Sequence, residues 1–265
     1  MCVRYTLHKP DEALAALAAA LARKLTISPP ALSQSNGLPD WVTPRFNATL
    51  THIMPAIAAS PDGPELRGMG WGLAPKYAYV KAGKPILPNA KAETAATLSA
   101  FRQSVAARRC LVPANGFYEW QTMGKLKLPH LFTLRDEAPF AFAGIWEPAD
   151  EEDGAATPSS RSATGTLPSS AQPARYGSFA ILTTSPNELV APIHNRMPVI
   201  LTAAAMRRWI GSDLLPDAEY RALTQPFPAD RMQSRPVSRY VSNSRNDGPA
   251  CHAPPEAAPP ELALE

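Results

Sequence analysis

Leucines at 14, 17 and 21 in the run DEALAALAAALARK lie three and four residues apart, with Asp11 and Glu12 opening the run and Arg23 and Lys24 closing it. That spacing places one apolar stripe on a helix whose end charges complement its dipole, so a helix is predicted over residues 11–24. A second helix is predicted over 93–108 and a third over 203–210, where Trp209 supplies an anchor to the core. Short runs rich in β-branched and aromatic residues, bounded by Pro and Gly, predict strands at 52–57, 69–73, 110–120, 130–134, 140–146, 178–184 and 198–201. Strands and helices do not alternate regularly, which argues against a doubly wound parallel sheet. The expectation is a single α+β domain of mixed and antiparallel sheets, curled into a barrel-like core with flanking helices.

Two stretches break the pattern. Residues 147–175 read EPADEEDGAATPSSRSATGTLPSSAQPAR, a mixture with almost no apolar side chains to offset the entropy of ordering the backbone. They are taken as a low-complexity surface insertion, and residues 249–265, rich in Pro and Ala, as a disordered tail. The domain is therefore expected over 1–248. With 265 residues of which 45% are hydrophobic, the chain has the material for a sizeable core.

A net charge of +3 permits a polyanionic partner without requiring one. Lys76, Lys81, Lys84 and Lys91, followed by Arg102, Arg108 and Arg109, concentrate positive charge locally, although a solvated face explains charge alone equally well. Three cysteines make no disulfide framework and no zinc pair, which suits a reducing compartment. No signal-peptide pattern and no spanning apolar run is visible, so a cytoplasmic, non-membrane protein, monomeric and without cofactor or metal, is expected. Nucleotide-binding glycine loops and the H-E-x-x-H metal motif are missing from the sequence.

Cys2 follows the initiator methionine. Removal of Met1 would leave a cysteine with a free α-amine beside its thiol, and such a 1,2-aminothiol condenses with an aldehyde to an imine that the sulfur closes into a thiazolidine. An α-amine titrates at about 7.7–8.0 and is therefore partly neutral at physiological pH. By itself a cysteine at this position is more often incidental.

Six blocks alter that reading. They are MCVRY at the start, MGWGLAP at 69–75, PNAKAET at 88–94, RCLVPANGFYEW at 109–120, SPNELVAPIHNRMPVIL at 185–201 and PVSRYVSNSRNDGP at 236–249. Together, in this order, they resemble the SOS-response-associated peptidase (SRAP) family, also known as abasic-site processing proteins. The resemblance covers nearly the whole chain outside the insertion. It implies that the chain binds single-stranded DNA containing abasic sites and that Cys2 captures the ring-opened sugar aldehyde as a stable thiazolidine crosslink. It also implies roles for three further residues. Asn89 would hydrogen-bond near the sugar and the cysteine amine, Glu119 would act as general acid and base, and His194 would contact the sugar or phosphate and assist ring opening and reversal.

The chemistry supports these roles independently. Ring opening and dehydration need a proton donor and acceptor near neutral pH, which a buried carboxyl between Tyr118 and Trp120 and an imidazole can supply. Taken singly, each residue has a plainer reading: a solvated strand-edge Glu, a turn Asn, a histidine with a structural partner. Arg4, Lys91 and Arg196 are the cations expected on phosphates, with Lys91 standing where the family usually has Arg and so lacking the bidentate fork. Trp71 and Trp120 are candidates to stack on bases, with a core role the alternative for Trp120 and the expected one for Trp146 and Trp209.

Two departures from the family pattern bear on activity. Val3 replaces a Gly directly after the nucleophile, and in FNATLTH at 46–52 Asn47 matches the corresponding block whereas Thr49, Leu50 and His52 do not. Cys110 is expected to pack as a small buried hydrophobe, and Cys251 has no motif role. Two rival functions stand beside DNA crosslinking. One is a thiol (auto)peptidase, a hydrolase using Cys2 and His194, and the other is a non-catalytic single-strand binder; the resemblance also implies a lyase activity beside crosslinking.

Overall fold

The protein is described by a computed structural model at residues 3–27, 39, 41–73, 86–148, 177–211 and 213–256. The first helix, α1, runs Pro10–Leu21, with proline at its first turn and Asp11 and Glu12 beside it. It buries Ala13, Leu14, Leu17 and Leu21, and stops at Ala22, whose left-handed φ of 53° turns its N–H back to Ala18 and Ala19 carbonyls. The predicted helix therefore ends about one turn early.

Five antiparallel strands make the smaller sheet. They are β1 (Tyr5–Leu7), β3 (Arg45–Ala48), β8 (Gly116–Met123), β9 (Leu126–Leu134) and β14 (Met232–Pro236), in the order β14-β9-β8-β1-β3. The larger sheet is built on β4 (Ile53–Ser60), β5 (Gly63–Trp71), β7 (Arg109–Ala114), β10 (Phe140–Glu147) and β11 (Ser178–Thr184). Short strands complete it: β2 (Thr26–Ile27), β6 (Asn89–Lys91), β12 (Met197–Pro198) and β13 (Ile200–Leu201). Parallel pairing of Ser178 with Gly70 and of Phe179 with Trp71 bends this sheet round on itself. Two paired positions make it ring-like and leave it short of a closed barrel. The α+β expectation holds, with the curl confined to one of the two sheets.

Alternation along the strands sorts side chains into two cores. On β10, Phe140 and Phe142 enter the layer between the sheets with Tyr5, Trp71, Phe117 and Phe179, whereas Ala141, Ala143 and Ile145 face the helices. The second layer holds Leu14, Leu17, Leu111 and Trp209. Trp209 ends α4 (Ala203–Trp209), which Thr202 caps by accepting from Ala205 N–H, and its indole N–H donates to the Cys110 and Gly144 carbonyls. Trp209 and Cys110 are thus core residues as expected.

Several expectations are corrected. The predicted strand 110–120 is two strands in different sheets, broken at Asn115, whose N–H bonds Thr6. Gly116 makes the crossing possible, because a Cβ there would sit 2.7 Å from the Phe132 carbonyl. The predicted helix 93–108 is two short helices, α2 (Ala92–Ala95) and α3 (Arg102–Ala107). Between them the Thr97 hydroxyl takes up the Thr94 carbonyl, a side-chain bond that competes with helical continuation. A further helix, α5 (Asp217–Leu223), and strands β1, β3, β6 and β14 were not predicted.

The insertion does not begin at Glu147. That residue closes β10 and is buried, its carboxylate accepting from Ser104 and from Arg108. Residues 149–176 lie outside the described residues, as do 257–265 and the lysines at 76, 81 and 84. Nor does the domain stop at Gly248. Pro249–His252 forms a 3-10 turn with Cys251 fully buried, in a small third core with Tyr118, Leu131, Val237 and Val241. Apolar packing by Cys251 and ring contacts by His252 hold a segment whose Pro and Ala content alone reads as unstructured.

No helix among the described residues is long and apolar enough to cross a membrane.

Candidate functional site

The site forms where β1 stops covering β8. Tyr118 N–H donates to the Arg4 carbonyl at 3.1 Å, and no described residue pairs with that side of β8 farther along. A cleft of about 990 Å³ opens there, bounded by Val3 and Arg4, by Glu119 and Trp120 of β8, and by Ile193 and His194.

Glu119 shares a strand face with Phe117, so it points into the layer between the sheets and is 2% exposed. Its Oε1 has no hydrogen-bond partner among the described residues. Burial pushes the carboxyl up to about 7, against the opposing pull of the positive amino terminus. Across the cleft, His194 Nδ1 stands 3.9 Å from Glu119 Oε1.

The loop after β11 fixes that imidazole. Asn187 folds it through Val190 and Ala191 and ties it to Phe227 at 2.7 Å, while His194 N–H returns to the Val190 carbonyl. Nδ1 lies 3.1 Å from the Arg196 backbone N–H, from which it accepts when unprotonated. The Arg196 carbonyl is also 3.1 Å away and accepts a hydrogen bond from Nδ1–H whenever Nδ1 is protonated. Both protonation states therefore have a backbone partner without ring movement. Burial lowers the His194 pKa most, the Arg196 carbonyl opposes this, and the positive charges of the amino terminus and Arg196 lower it further.

The other predicted residues divide. Cys2 lies outside the described residues. Asn89 starts β6 beside Ile181 of β11, with its amide oxygen buried; Lys91, two residues on, is exposed opposite Thr183. Arg4 lines the cleft, with its guanidinium donating to Asn47 at 2.9 Å and to the Val241 carbonyl at 3.1 Å. Trp120 also lines it, its indole N–H on Ser242 at 3.0 Å and one face against the third core.

Two assignments are corrected. Trp71 is 1% exposed, edge-on to Tyr5 and parallel to Phe179, and its N–H donates to the Pro88 carbonyl, so no ring face remains for a base. Arg196 does not present a fork to solvent, because Glu93 grips it with both carboxylate oxygens and the Thr183 carbonyl accepts from the same guanidinium. It orders the His194 loop instead.

Sequence reasoning missed Glu93 as a partner and undervalued Asn47. The Asn47 amide, buried on β3, donates to the carbonyls of Val241, Asn243 and Asn246 at 3.1, 3.0 and 2.8 Å, and Asp247 accepts from the N–H groups of Phe46 and Asn47. These bonds lash the 236–249 block to the sheet beside Arg4. The signal was available as polar residues inside matching blocks, but spacing gave no reason to join blocks so far apart in sequence.

Fold and site define an α+β protein with a buried Glu119 facing His194 in a polar cleft near Val3. The chain belongs to the SRAP family, since the profile of the SOS response associated peptidase (SRAP) matches residues 1–244. It is 32% identical over 208 residues to the abasic site processing protein YoqW of Bacillus subtilis, covering 78% of this chain and 84% of that one. It is 30% identical over 183 residues to abasic site processing protein YedK of Escherichia coli, covering 67% and 70%. A crystal structure of a Bacteroides thetaiotaomicron protein superposes with a TM-score of 0.68 at 22% identity, over 96% of this chain and 99% of that one, and supports the fold.

Proposed function

We propose that this protein processes abasic sites in DNA, capturing the lesion's aldehyde in single-stranded DNA through Cys2 once Met1 has been removed. The α-amine of Cys2 adds to the aldehyde carbon and water leaves, giving an imine. The thiol sulfur then adds to that carbon while the nitrogen takes up the thiol proton, giving a thiazolidine with no change in oxidation state. Neither step calls for a cofactor. Glu119 gives and takes the protons, His194 serves the sugar oxygen through Nε2, Asn89 orients the amine and sugar, and Arg4 holds a phosphate edge of the cleft.

The observation that carries this reading is the 3.9 Å approach of His194 to a carboxyl whose pKa lies at about 7, in the cleft that Val3 enters one residue after Cys2. A carboxyl half-protonated at neutral pH supplies both partners needed for reversible dehydration. The named relatives act on the same lesion.

The test is incubation with abasic and intact single-stranded oligonucleotides, followed by a denaturing gel and intact mass. A shifted band specific to the abasic strand, on protein lacking Met1, is expected. A band formed equally by protein retaining Met1, or no band with either DNA, rules the mechanism out. Cys2→Ala should lose the stable adduct while leaving an imine that borohydride traps.

A further inference from the structure

We infer that the β8–β9 hairpin is a rail for the nucleic acid strand on one side of the lesion, with Lys125 and Lys127 on phosphates and Met123 and Leu126 against a base. The inference rests on the abasic-site reading and names how its substrate is gripped.

The hairpin closes in a tight turn. Met123 pairs directly with Leu126, and the two-residue turn between them starts at Gly124 with φ of 59°. Gly124 is the turn's only positive-φ residue, which fits a type II′ connection whose twist matches the strands. The tip reaches the same cleft as Glu119 and His194, since Thr122, Lys125, Leu126 and Lys127 line it with them.

Its surface chemistry is mixed in a way that suits a single strand. Met123 and Leu126 are 55% and 45% exposed, although both are large and apolar. By strand alternation they share a face with Glu119, and four residues of extended strand put them about 14 Å beyond it. Lys125 sits in the turn beside that apolar pair, Lys127 lies with its partner Thr122 on the opposite face of the hairpin, and Arg4 and Arg239 add charge to the cleft. Two lining acids oppose these four cations, Glu119 and Glu256, and the first is largely neutral below about 7. Along β8 the N–H of Tyr118 points to the Arg4 carbonyl, so alternation turns the Trp120 and Thr122 backbone groups toward the same open side. A backbone carrying regular negative charge, with apolar faces between charges, meets every feature of this edge. An acidic peptide would use the lysines but has no need of an apolar pair set so far from the reacting centre.

Non-covalent binding to an intact single-stranded oligonucleotide tests the rail apart from the chemistry. Replacing Lys125 and Lys127 together with Ala should weaken binding and flatten the plot of log affinity against log salt by about 1.4, at about 0.7 per lost phosphate contact. Replacement of both with Arg should restore the wild-type slope. Changing Met123 and Leu126 to Ser should lower affinity by up to about tenfold with the slope unmoved. Thermal melting checks that each variant is folded. A wild-type slope in the Ala variant, or equal loss in the Ala and Arg variants, overturns the rail, as does lysine-dependent binding of an acidic peptide with DNA binding unaffected. Crosslinking of abasic DNA by the wild type is scored separately. Its failure alongside lysine-dependent binding of intact DNA removes the proposed chemistry and leaves the rail standing.

Discussion

Arg196 and Glu93 meet through two parallel hydrogen bonds, Nη1 to Oε1 at 2.7 Å and Nη2 to Oε2 at 2.8 Å, tying the loop that bears His194 to the first turn after β6. The pair holds Glu93 ionised, its pKa lowered chiefly by the hydrogen bond from Arg196. With Glu93 47% exposed, its direct worth is about 1 kcal/mol or less, but the Arg196 backbone also holds His194 Nδ1 in place. We predict that Glu93→Ala slows capture at saturating DNA by about tenfold. Binding of intact DNA should tighten, because the Arg196 fork becomes available to phosphate. Single-turnover rates beside binding curves measure both, and an unchanged rate would show that the pair does not position His194.

Glu119 should govern the pH profile. With its carboxyl at about 7, capture should peak near neutrality, and Glu119→Gln should cut the rate by about 10²- to 10⁴-fold and flatten the profile. The same group affects stability. Its folded pKa lies above the unfolded value, so its stabilising contribution is full below about 4.5 and is lost as pH rises through about 7. Glu119→Gln should therefore be more stable than wild type at pH 8, by about 3 kcal/mol at most, and gain less at pH 5. Melting curves at the two pH values decide it.

His252 carries the opposite linkage. Its ring packs edge-on to His8 at 4.8 Å and to Phe46 at 4.9 Å; burial first, then the charges of His8 and Arg235, depress its pKa to about 4. Stability from this depressed group is present above the unfolded value of about 6.5 and is lost as pH falls through about 4. We predict that His252→Phe, which keeps a ring and removes the proton site, moves the acid-unfolding midpoint to lower pH. A midpoint at or above the wild-type value would contradict this.

Asn47→Ala should be costly. It removes donors from three carbonyls and the acceptor of Arg4 in a site 1% exposed, so we expect a loss of about 2–4 kcal/mol in denaturant unfolding. Asn47→Asp should fail to rescue, because a carboxylate cannot donate to those carbonyls.

The sequence disclosed what local pattern and motif carry. The α1 stripe, the run at 178–184 and Trp209 were legible because apolar spacing reports burial directly. Glu119 and His194 came from motif blocks, and the structure brings them together across the cleft. Trp71 was misjudged because an indole reads alike as platform or as core, and only the Phe179 and Tyr5 rings around it decide. Arg196 was misjudged for a related reason. A guanidinium's partner is set by folding, and Glu93 lies 103 residues away. Strands β1 and β3 escaped notice because three or four residues make too short a period, and their pairing comes from β8 and from the Asp247 bonds.

Glu147 and Ser178 are direct partners on adjacent antiparallel strands, and Gly177 beside them adopts φ of 109° where a Cβ would strike the Glu147 carbonyl. The chain thus departs and re-enters at one rung of a finished ladder, with residues 148–177 connecting the two sides. A folded module whose termini lie about 5 Å apart, a fluorescent reporter or an affinity handle, is expected to fit there without a change of register in the ladder. Natural selection can exploit the same freedom by rewriting the length and composition of this connection while leaving the chemistry beside Glu119 untouched.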